Sequence, residues 1–349
     1  MSWRNKLSVP VRRGAGRSQN GNESIACILN PRAAGGRAGQ RVRELERALS
    51  RAFADWEIKQ TEGPGHATEL AADALAAGVD IVAAVGGDGT ANEVVNGFFR
   101  GSTPRRPASV FALVPWGTGS DLQKSLRSPS DLADALWVAS TGVTLPTDVG
   151  HVQFRTPHGG SERLFINVAG FGANGDVVHR ANSASKSLGG RLTFLQATLG
   201  TLANYQPPRV SVTWKSADGP GSWEGQLLSA FVANGRFCGG GMDVGGGGSM
   251  HDGAFDLTLL PNKGRGRNIA ESWRLYDGSV WKVAGARRVY ATELTARCVD
   301  GDEVLLDIDG EQPGALEATF RVLPRQLQVR GGWLRSPLLR GEHEVWRPR

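Results

Sequence analysis

The first part of the chain alternates short apolar runs with amphipathic stretches. Residues 25–29, 81–85 and 110–114 are unbroken apolar runs, and a fourth strand pattern sits near 56–60. Runs without polar alternation predict strands buried on both faces. Between them, Val42, Leu45, Leu49 and Ala52 recur at helical spacing, residues 66–77 form an alanine-rich stretch, and Val94, Val95 and Phe98 mark a third apolar face. Strands alternating with helices predict βαβ units around a parallel sheet, with ligands at the carboxyl ends of the strands. The loops after Leu29, Gln60, Val85 and Val114 are therefore expected to converge on one edge.

Past residue 145 the pattern changes. Short strand patterns at 145–154, 164–168, 210–214, 227–234, 255–260, 288–296, 304–308 and 318–323 are parted by turn residues, with one helical stretch at 192–204. That spacing predicts an antiparallel sandwich. The expected fold class is an α/β domain with a parallel sheet followed by a mainly antiparallel β-sandwich domain. The expected boundaries are a disordered basic tail at 1–23, a nucleotide-binding domain at 24–145, a β-rich acceptor domain at 146–330 and a basic amphipathic tail at 331–349.

Charge refines this. The net charge is +6. Residues 1–24 carry +4 and residues 331–349 carry +2, so the body sums to zero and a basic nucleic-acid-binding face is excluded there. The three cysteines are far apart with no CxxC, which argues against a zinc site or disulfide framework and for a reducing, cytoplasmic compartment. No apolar run is long enough to span a bilayer, and the basic N-terminus lacks the apolar core of a secretory signal.

The candidate chemistry starts at residues 81–99, IVAAVGGDGTANEVVNGFF. A buried strand breaks into Gly86, Gly87, Asp88, Gly89 and Thr90, then a helix begins. Glycines let the backbone approach a phosphate, and the N–H groups of a helix start point at it. Asp88 would meet a bridging Mg²⁺ or a ribose hydroxyl. No GKT or GKS follows, so this is not a Walker loop.

GGDGTANEVVNGF resembles the signature of the diacylglycerol kinase catalytic family, which includes sphingosine, ceramide and bacterial lipid kinases; NAD kinases and phosphofructokinases share the shorter GGDGT. The resemblance implies an NAD kinase/phosphofructokinase-like first domain. It extends to Asn30 and the turn after it, placed by the resemblance beside the nucleotide, and to Thr61 at the next strand end. Asn92 and Glu93 belong to the same signature. The segment PWGTGSDL resembles the family's P-x-GTxND loop, so Thr118 is expected at the nucleotide and Asp121 toward acceptor and metal; Ser120 replaces the usual Asn. An alternative reading makes Asp121 a helix N-cap.

In the second half, residues 167–172 and 234–242 resemble the family's N-x-x-G-x-G and NG-x-x-x-GGGM segments. Asp252 keeps the place of an Asp that in bacterial members holds a structural Mg²⁺, here with the main-chain carbonyls of Ser249 and Ala254. Residues 306–313 read LDIDGEQP. If the strand continues, alternation puts Asp307, Asp309 and Glu311 on one face. DGE resembles the family's catalytic motif, with Asp309 or Glu311 as the base and Asp307 as a solvated neighbour.

The resemblance implies an ATP-dependent, Mg²⁺-requiring lipid kinase of the cytoplasm, peripherally associated with a membrane surface where its lipid substrate resides, with no nucleic-acid partner. The oligomeric state stays open, a homodimer included. Two other readings stand beside it: NAD kinase-like phosphorylation of a soluble hydroxyl, and a non-catalytic nucleotide- or lipid-binding protein. The two basic tails, with Trp333, Leu334, Leu338, Leu339 and Trp346, are the expected membrane anchor.

Overall fold

A computed structural model describes residues 11–15, 23–116, 121–183 and 190–333. The chain divides into two compact units, 1–146 with 327–349, and 147–326.

Unit 1 is built on a sheet of β1 (Val11–Ala15), β2 (Ser24–Leu29), β3 (Asp55–Gln60), β4 (Ile81–Gly86) and, past the small hairpin β5 (Phe99–Arg100) and β6 (Thr103–Pro104), β7 (Val110–Pro115). The strand order is β1-β3-β2-β4-β7, and every pair from β3 to β7 is parallel. Its helices are α1 (Arg37–Gln40), α2 (Val42–Ala52), α3 (His66–Ala76), α4 (Asp88–Gly97), α5 (Asp121–Ser125) and α6 (Leu132–Thr141). The helical spacing read from Val42, Leu45 and Leu49 is the face α2 buries. That face packs against Ile25, Leu29 and Ile58 of the sheet. The helix starts later than expected, because Ala34 and Gly35 adopt positive φ and break the turn before it.

Two differences mark the ends. Residues 11–15, expected to be disordered, form β1, which pairs antiparallel with β3. The remainder of the 1–23 tail lies outside the described residues. The second boundary also moves: residues 327–331 return to unit 1, where Gln328, Val329 and Arg330 pair in parallel with β7. The next residues follow them, with Gly332 N–H donating to Leu126 O at 3.1 Å. Trp333, expected in a membrane-facing tail, thus belongs to a segment tied to unit 1, while Leu334, Leu338, Leu339 and Trp346 lie outside the described residues.

Unit 2 holds β8 (Val143–Thr156, from Thr147 on), β9 (Gly159–Phe165), β10 (Val168–Gly172), β11 (Arg209–Ser216), β12 (Gly219–Ala233), the short pair β13 (Phe237–Cys238) and β14 (Met242–Asp243), β15 (Phe255–Pro261), β16 (Arg287–Cys298), β17 (Leu306–Ile308) and most of β18 (Ala315–Gly331). The pairs β8–β9, β10–β12, β10–β17, β11–β12, β11–β16, β12–β15, β13–β14, β15–β16 and β16–β18 are antiparallel. Phe165, Phe171, Phe255 and Phe320 meet in its core, with ring centroids 5.4–6.4 Å apart. Each such pair contributes about 0.5–1.5 kcal/mol beyond its buried area.

The expected helix at 192–204 is α8 (Gly190–Asn204), but α7 (Ala173–Ser183) and α9 (Arg265–Glu271) were not legible. The first has Val177 and Val178 as its only large apolar residues, and the second buries no residue, so neither shows the apolar period that marks a helix. No helix among the described residues is long and apolar enough to cross a membrane.

Arg330 ties the returning strand into unit 1. Its guanidinium donates to both Glu23 oxygens (2.7 and 3.0 Å), to Ala139 O (3.0 Å) and to Thr144 Oγ1 (2.9 Å). Arg330→Ala strands a carbonyl and a carboxylate, and should lower stability by about 1–3 kcal/mol. Urea unfolding checks this, with an unchanged midpoint as the contrary result.

Candidate active site

The carboxyl ends of the parallel strands do converge. Asn30 N–H donates to Val85 O at 3.1 Å, Thr61 N–H to Leu29 O at 2.9 Å, and Trp116 N–H to Gly86 O at 3.0 Å. The four loops therefore leave the sheet side by side. At their centre β4 ends in Gly86 and α4 begins at Asp88, with Gly87 as an extended N-cap residue. The first intrahelical bond is Ala91 N–H to Gly87 O, so the N–H groups of Asp88, Gly89 and Thr90 precede the helical ladder, and no side chain caps it. That is the geometry of an anion cradle. Gly86 is required by a close approach: a Cβ there would lie 2.6 Å from Thr90 Oγ1. Around Gly87 there is open space, room for a ligand to reach the backbone.

The side chains of the signature divide. Thr90 is buried, and its Oγ1 accepts from Asn30 Nδ2 at 3.3 Å, while Asn30 Oδ1 accepts from Arg32 N–H at 3.0 Å. Asn30 thus orders the loop beside the cradle. Asp88 does not wait for a cation. Its two oxygens accept the N–H groups of Asp121 (2.9 Å) and Leu122 (3.2 Å), so it caps α5.

Glu93 faces away from a nucleotide. Its oxygens accept Gly65 N–H (2.9 Å) and Ala67 N–H (3.1 Å) at the start of α3. Asn92 is fully buried, bonded to the Asn96 amide one turn on. Both were expected as nucleotide contacts, and the structure makes both fasteners, because a helix whose apolar face is buried aims only its first turn at the ligand side. Thr61 is half-buried at its strand end. Asp121 sits inside the first turn of α5 rather than capping it; its buried carboxylate pairs with Lys124 at 2.7 Å. Thr118 and Ser120 lie outside the described residues.

In unit 2 the LDIDGE segment is not a continuing strand. Ile308 and Glu311 exchange both backbone hydrogen bonds (2.8 and 3.0 Å), closing a two-residue hairpin over Asp309 (φ 49°) and Gly310 (φ 85°). Two consecutive positive φ values are what Asp-Gly hairpins demand. The three carboxylates consequently separate. Asp309 is buried and accepts three backbone N–H groups, from Ile166 (2.9 Å), Asn167 (3.0 Å) and Val168 (3.0 Å). Glu311 is half-exposed, paired with Arg163 Nη1 at 3.0 Å. Asp307, expected to be solvated, is buried; burial foremost, and the nearby Asp309 charge secondarily, push its carboxyl up to about 8 against one lowering bond from Gly310 N–H.

The Asp252 region fits the expected cation less well. Its oxygens accept the N–H groups of Ser249 (3.3 Å) and Ala254 (3.1 Å), so these two residues turn their amides toward it in a capped turn, where the resemblance called for their carbonyls. No group of three or more acidic, His or Cys side chains able to hold a metal occurs among the described residues.

Sequence reasoning missed a cavity in unit 2, walled by α7, α8, β12, β15 and α9, with an empty volume of about 690 Å³, part of it open to solvent. Val177, Leu202, Phe231, Leu260 and Leu275 line it. Among its polar wall residues Asn174 Nδ2 donates to Ala230 O (3.1 Å) and Ser229 Oγ accepts Asn174 N–H (3.3 Å), whereas Glu271 Oε2 is buried without a hydrogen-bond partner among the described residues. The only available signal was the apolar share of 192–204.

Three expectations follow. Gly86→Ala should abolish nucleotide binding in calorimetry with the circular dichroism spectrum retained; wild-type affinity would show the cradle tolerates a Cβ. Asp309→Asn exchanges an acceptor oxygen for a donor facing three amides, and should destabilise by at least about 1–3 kcal/mol, read by chemical unfolding. The third concerns pH. A carboxyl raised in the folded state binds a proton that the unfolded chain has lost, so its stabilising contribution is complete below about 4 and disappears as pH rises through about 8. Asp307→Asn should flatten that decline and be the more stable protein at pH 8; parallel stability profiles would contradict it.

Comparison with known proteins agrees with both halves. Residues 24–152 match the model of the diacylglycerol kinase catalytic domain, and residues 167–331 match that of the YegS C-terminal NAD kinase beta sandwich-like domain. The chain is 28% identical over 268 residues to a diacylglycerol kinase of Bacillus subtilis, covering 76% of this chain and 82% of that one. It is 30% identical over 274 residues to a probable lipid kinase YegS-like of Pseudomonas putida, covering 78% and 84%. A solved structure of a putative diacylglycerol kinase from Bacillus anthracis superposes with a TM-score of 0.69 at 21% identity, covering 90% of this chain and 98% of that one. The chain belongs to the diacylglycerol kinase and YegS-like lipid kinase family.

Proposed function

We propose that this protein transfers the γ-phosphoryl group of ATP to the hydroxyl of a membrane lipid of the diacylglycerol or sphingoid type. The observation that carries the acceptor class is the unit 2 cavity. Its walls are mostly apolar; Asn174 and Ser229 are bonded within the protein, and the charged groups Glu271 and Arg274 stand together on the α9 side. A dinucleotide acceptor needs directed donors and acceptors for its sugars and base; a hydrocarbon chain needs none. This observation disfavours NAD as the acceptor.

The rest of the chemistry is assigned to residues already described. The N–H groups of Gly89 and Thr90 receive the nucleotide phosphates, with Asn30 and Thr61 beside them. Mg²⁺ enters with ATP as part of the substrate and offsets phosphate charge. No step is assigned to the Asp252 turn. The acceptor oxygen attacks the γ-phosphorus as the bond to the ADP oxygen breaks, and the hydroxyl proton passes to a carboxylate. Of the DGE pair, Glu311 is the better base. Asp309 is bound by three amides, whereas Glu311 is half-exposed, and it pairs with Arg163 at 3.0 Å. The strand β10 links this turn to the cavity: Val168 N–H binds Asp309, and Ala173 lines the cavity. At strand rise that is on the order of 17 Å, the reach of a lipid chain rather than of a small soluble alcohol.

Radiolabelled ATP offered with a panel of dispersed lipids and NAD should label a lipid and leave NAD unlabelled; labelled NAD alone would reverse the reading. Glu311→Gln should lower kcat by roughly 10²–10⁴-fold with ATP affinity unchanged. Leu202→Phe, which fills the cavity, should raise KM for a long-chain acceptor more than for its short-chain analogue.

A further inference from the structure

The folded body carries no net charge as a whole, yet its charge is far from evenly spread. Residues 263–288 hold seven Lys and Arg against Glu271 and Asp277, a net of +5, so the remaining body is acidic. Two of the seven are neutralised: Arg267 pairs with Glu271 at 2.8 Å, and Arg288 pairs with the buried Asp256 at 2.6 Å. Arg265, Lys282 and Arg287 are exposed and in no ion pair among the described residues, with Lys263 and Arg274 half-buried beside them.

The same segment also exposes three large apolar side chains close together in sequence. Trp273 is 54% exposed, and Ile269 and Tyr276 are each 40% exposed. They alternate with residues that face inward. Asn268, Glu271, Ser272, Arg274 and Leu275 line the cavity, so one short stretch of α9 and the 3-10 turn Ser272–Leu275 presents one side to the cavity and the other to solvent. The Arg274 guanidinium lies over the Trp273 ring at 4.7 Å, an arrangement that keeps the charge at a polar boundary while the ring goes deeper. Exposed aromatic rings beside free cations are the signature of a surface that enters the headgroup layer of an anionic leaflet.

We infer that residues 263–288 form the membrane-docking face of this protein, seating on an anionic phospholipid bilayer through Arg265, Trp273, Tyr276, Lys282 and Arg287. The inference rests on the lipid-acceptor reading only in that the docked face surrounds the cavity a lipid would enter. It relocates the anchor from the basic tails to the folded unit 2. Its logic is contiguity: a lipid leaving the bilayer at this face would meet the cavity without its chain crossing water.

The test uses the full chain and sedimentation with two vesicle types, phosphatidylcholine alone and phosphatidylcholine with about one third phosphatidylglycerol. Wild type should partition to the anionic vesicles, more weakly as salt rises. Arg265→Glu with Lys282→Glu should cut that partition by more than about 10-fold, since each surface cation contributes roughly 5-fold. Trp273→Ala with Tyr276→Ala should cut it several-fold. All four side chains lie outside the cavity lining, so activity on detergent-dispersed lipid should stay within about 2-fold of wild type. Wild-type partition by both double variants, with loss only on removing residues 1–22 or 334–349, overturns the inference. So does parallel loss of dispersed-substrate activity, which would place these residues in the site itself. A wild type that labels no lipid, yet docks through this face, sinks the kinase reading and leaves the docking face standing.

Discussion

Backbone N–H groups claimed by buried or half-buried carboxylates hold this molecule's functional loops in place. Asp88 takes the first two amides of α5, Glu93 takes two at the start of α3, and Asp309 takes three between β9 and β10. Asp148 does the same for Gly253 and Arg325, at 2.7 Å each. Each clamp joins segments far apart in sequence, and each satisfies donors that would otherwise cost about 1–3 kcal/mol apiece when buried. The loops that must receive a polyphosphate can then be short and glycine-rich without wandering. Rigidity beside the glycine turn comes from acids bonded to backbone amides.

This explains what could be read from the sequence and what could not. The strands, their parallel order and the GGDGT turn were legible because unbroken apolar runs and glycine after a strand have few alternative structures. The motif side chains carry internal bonds that the sequence did not show. Asp88, Asn92, Glu93 and Asp309 all stand in motifs that point to ligand chemistry, but motif position does not say which way a side chain turns. For Asp309 the deciding fact is local: an Asp-Gly pair closing a two-residue hairpin needs positive φ, and that rotates its carboxylate onto three amides while Glu311 returns to the partner strand. The alternation argument assumed a strand that the Asp-Gly pair had already ended. Asp307 was read as solvated because it was grouped with Asp309 and Glu311, but β17 pairs with β10 through Gly170 and buries it.

Charge shows a second limit of segment arithmetic. Summed over the body, positives and negatives cancel, which argues against a broad nucleic-acid face. The same sum hides residues 263–288, where five net positive charges sit among exposed Trp, Tyr and Ile. A window of that length separates the two cases, because electrostatic attraction to a leaflet is felt over about a Debye length, ~8–10 Å, rather than over a domain. α9 escaped the helical pattern on the same grounds: a helix that buries no residue is polar or basic where helix-reading looks for an apolar stripe.

The two halves of the acceptor problem have different currencies. A mostly apolar cavity recognises a chain chiefly by removing it from water, worth about 0.8 kcal/mol per methylene. Such walls distinguish poorly between lipids of equal length, since an added or missing methylene changes selection by little more than an order of magnitude. Discrimination among hydroxyls must come from directed groups. In unit 2 the half-exposed pair Glu311 and Arg163 is where the DGE hairpin offers them. The sequence departs from the family pattern at Ser120, which lies outside the described residues, and keeps the DGE triplet. Affinity for the chain and selection of the headgroup therefore belong to different residues, and substitutions in the cavity should move KM across chain lengths without changing which headgroup is phosphorylated.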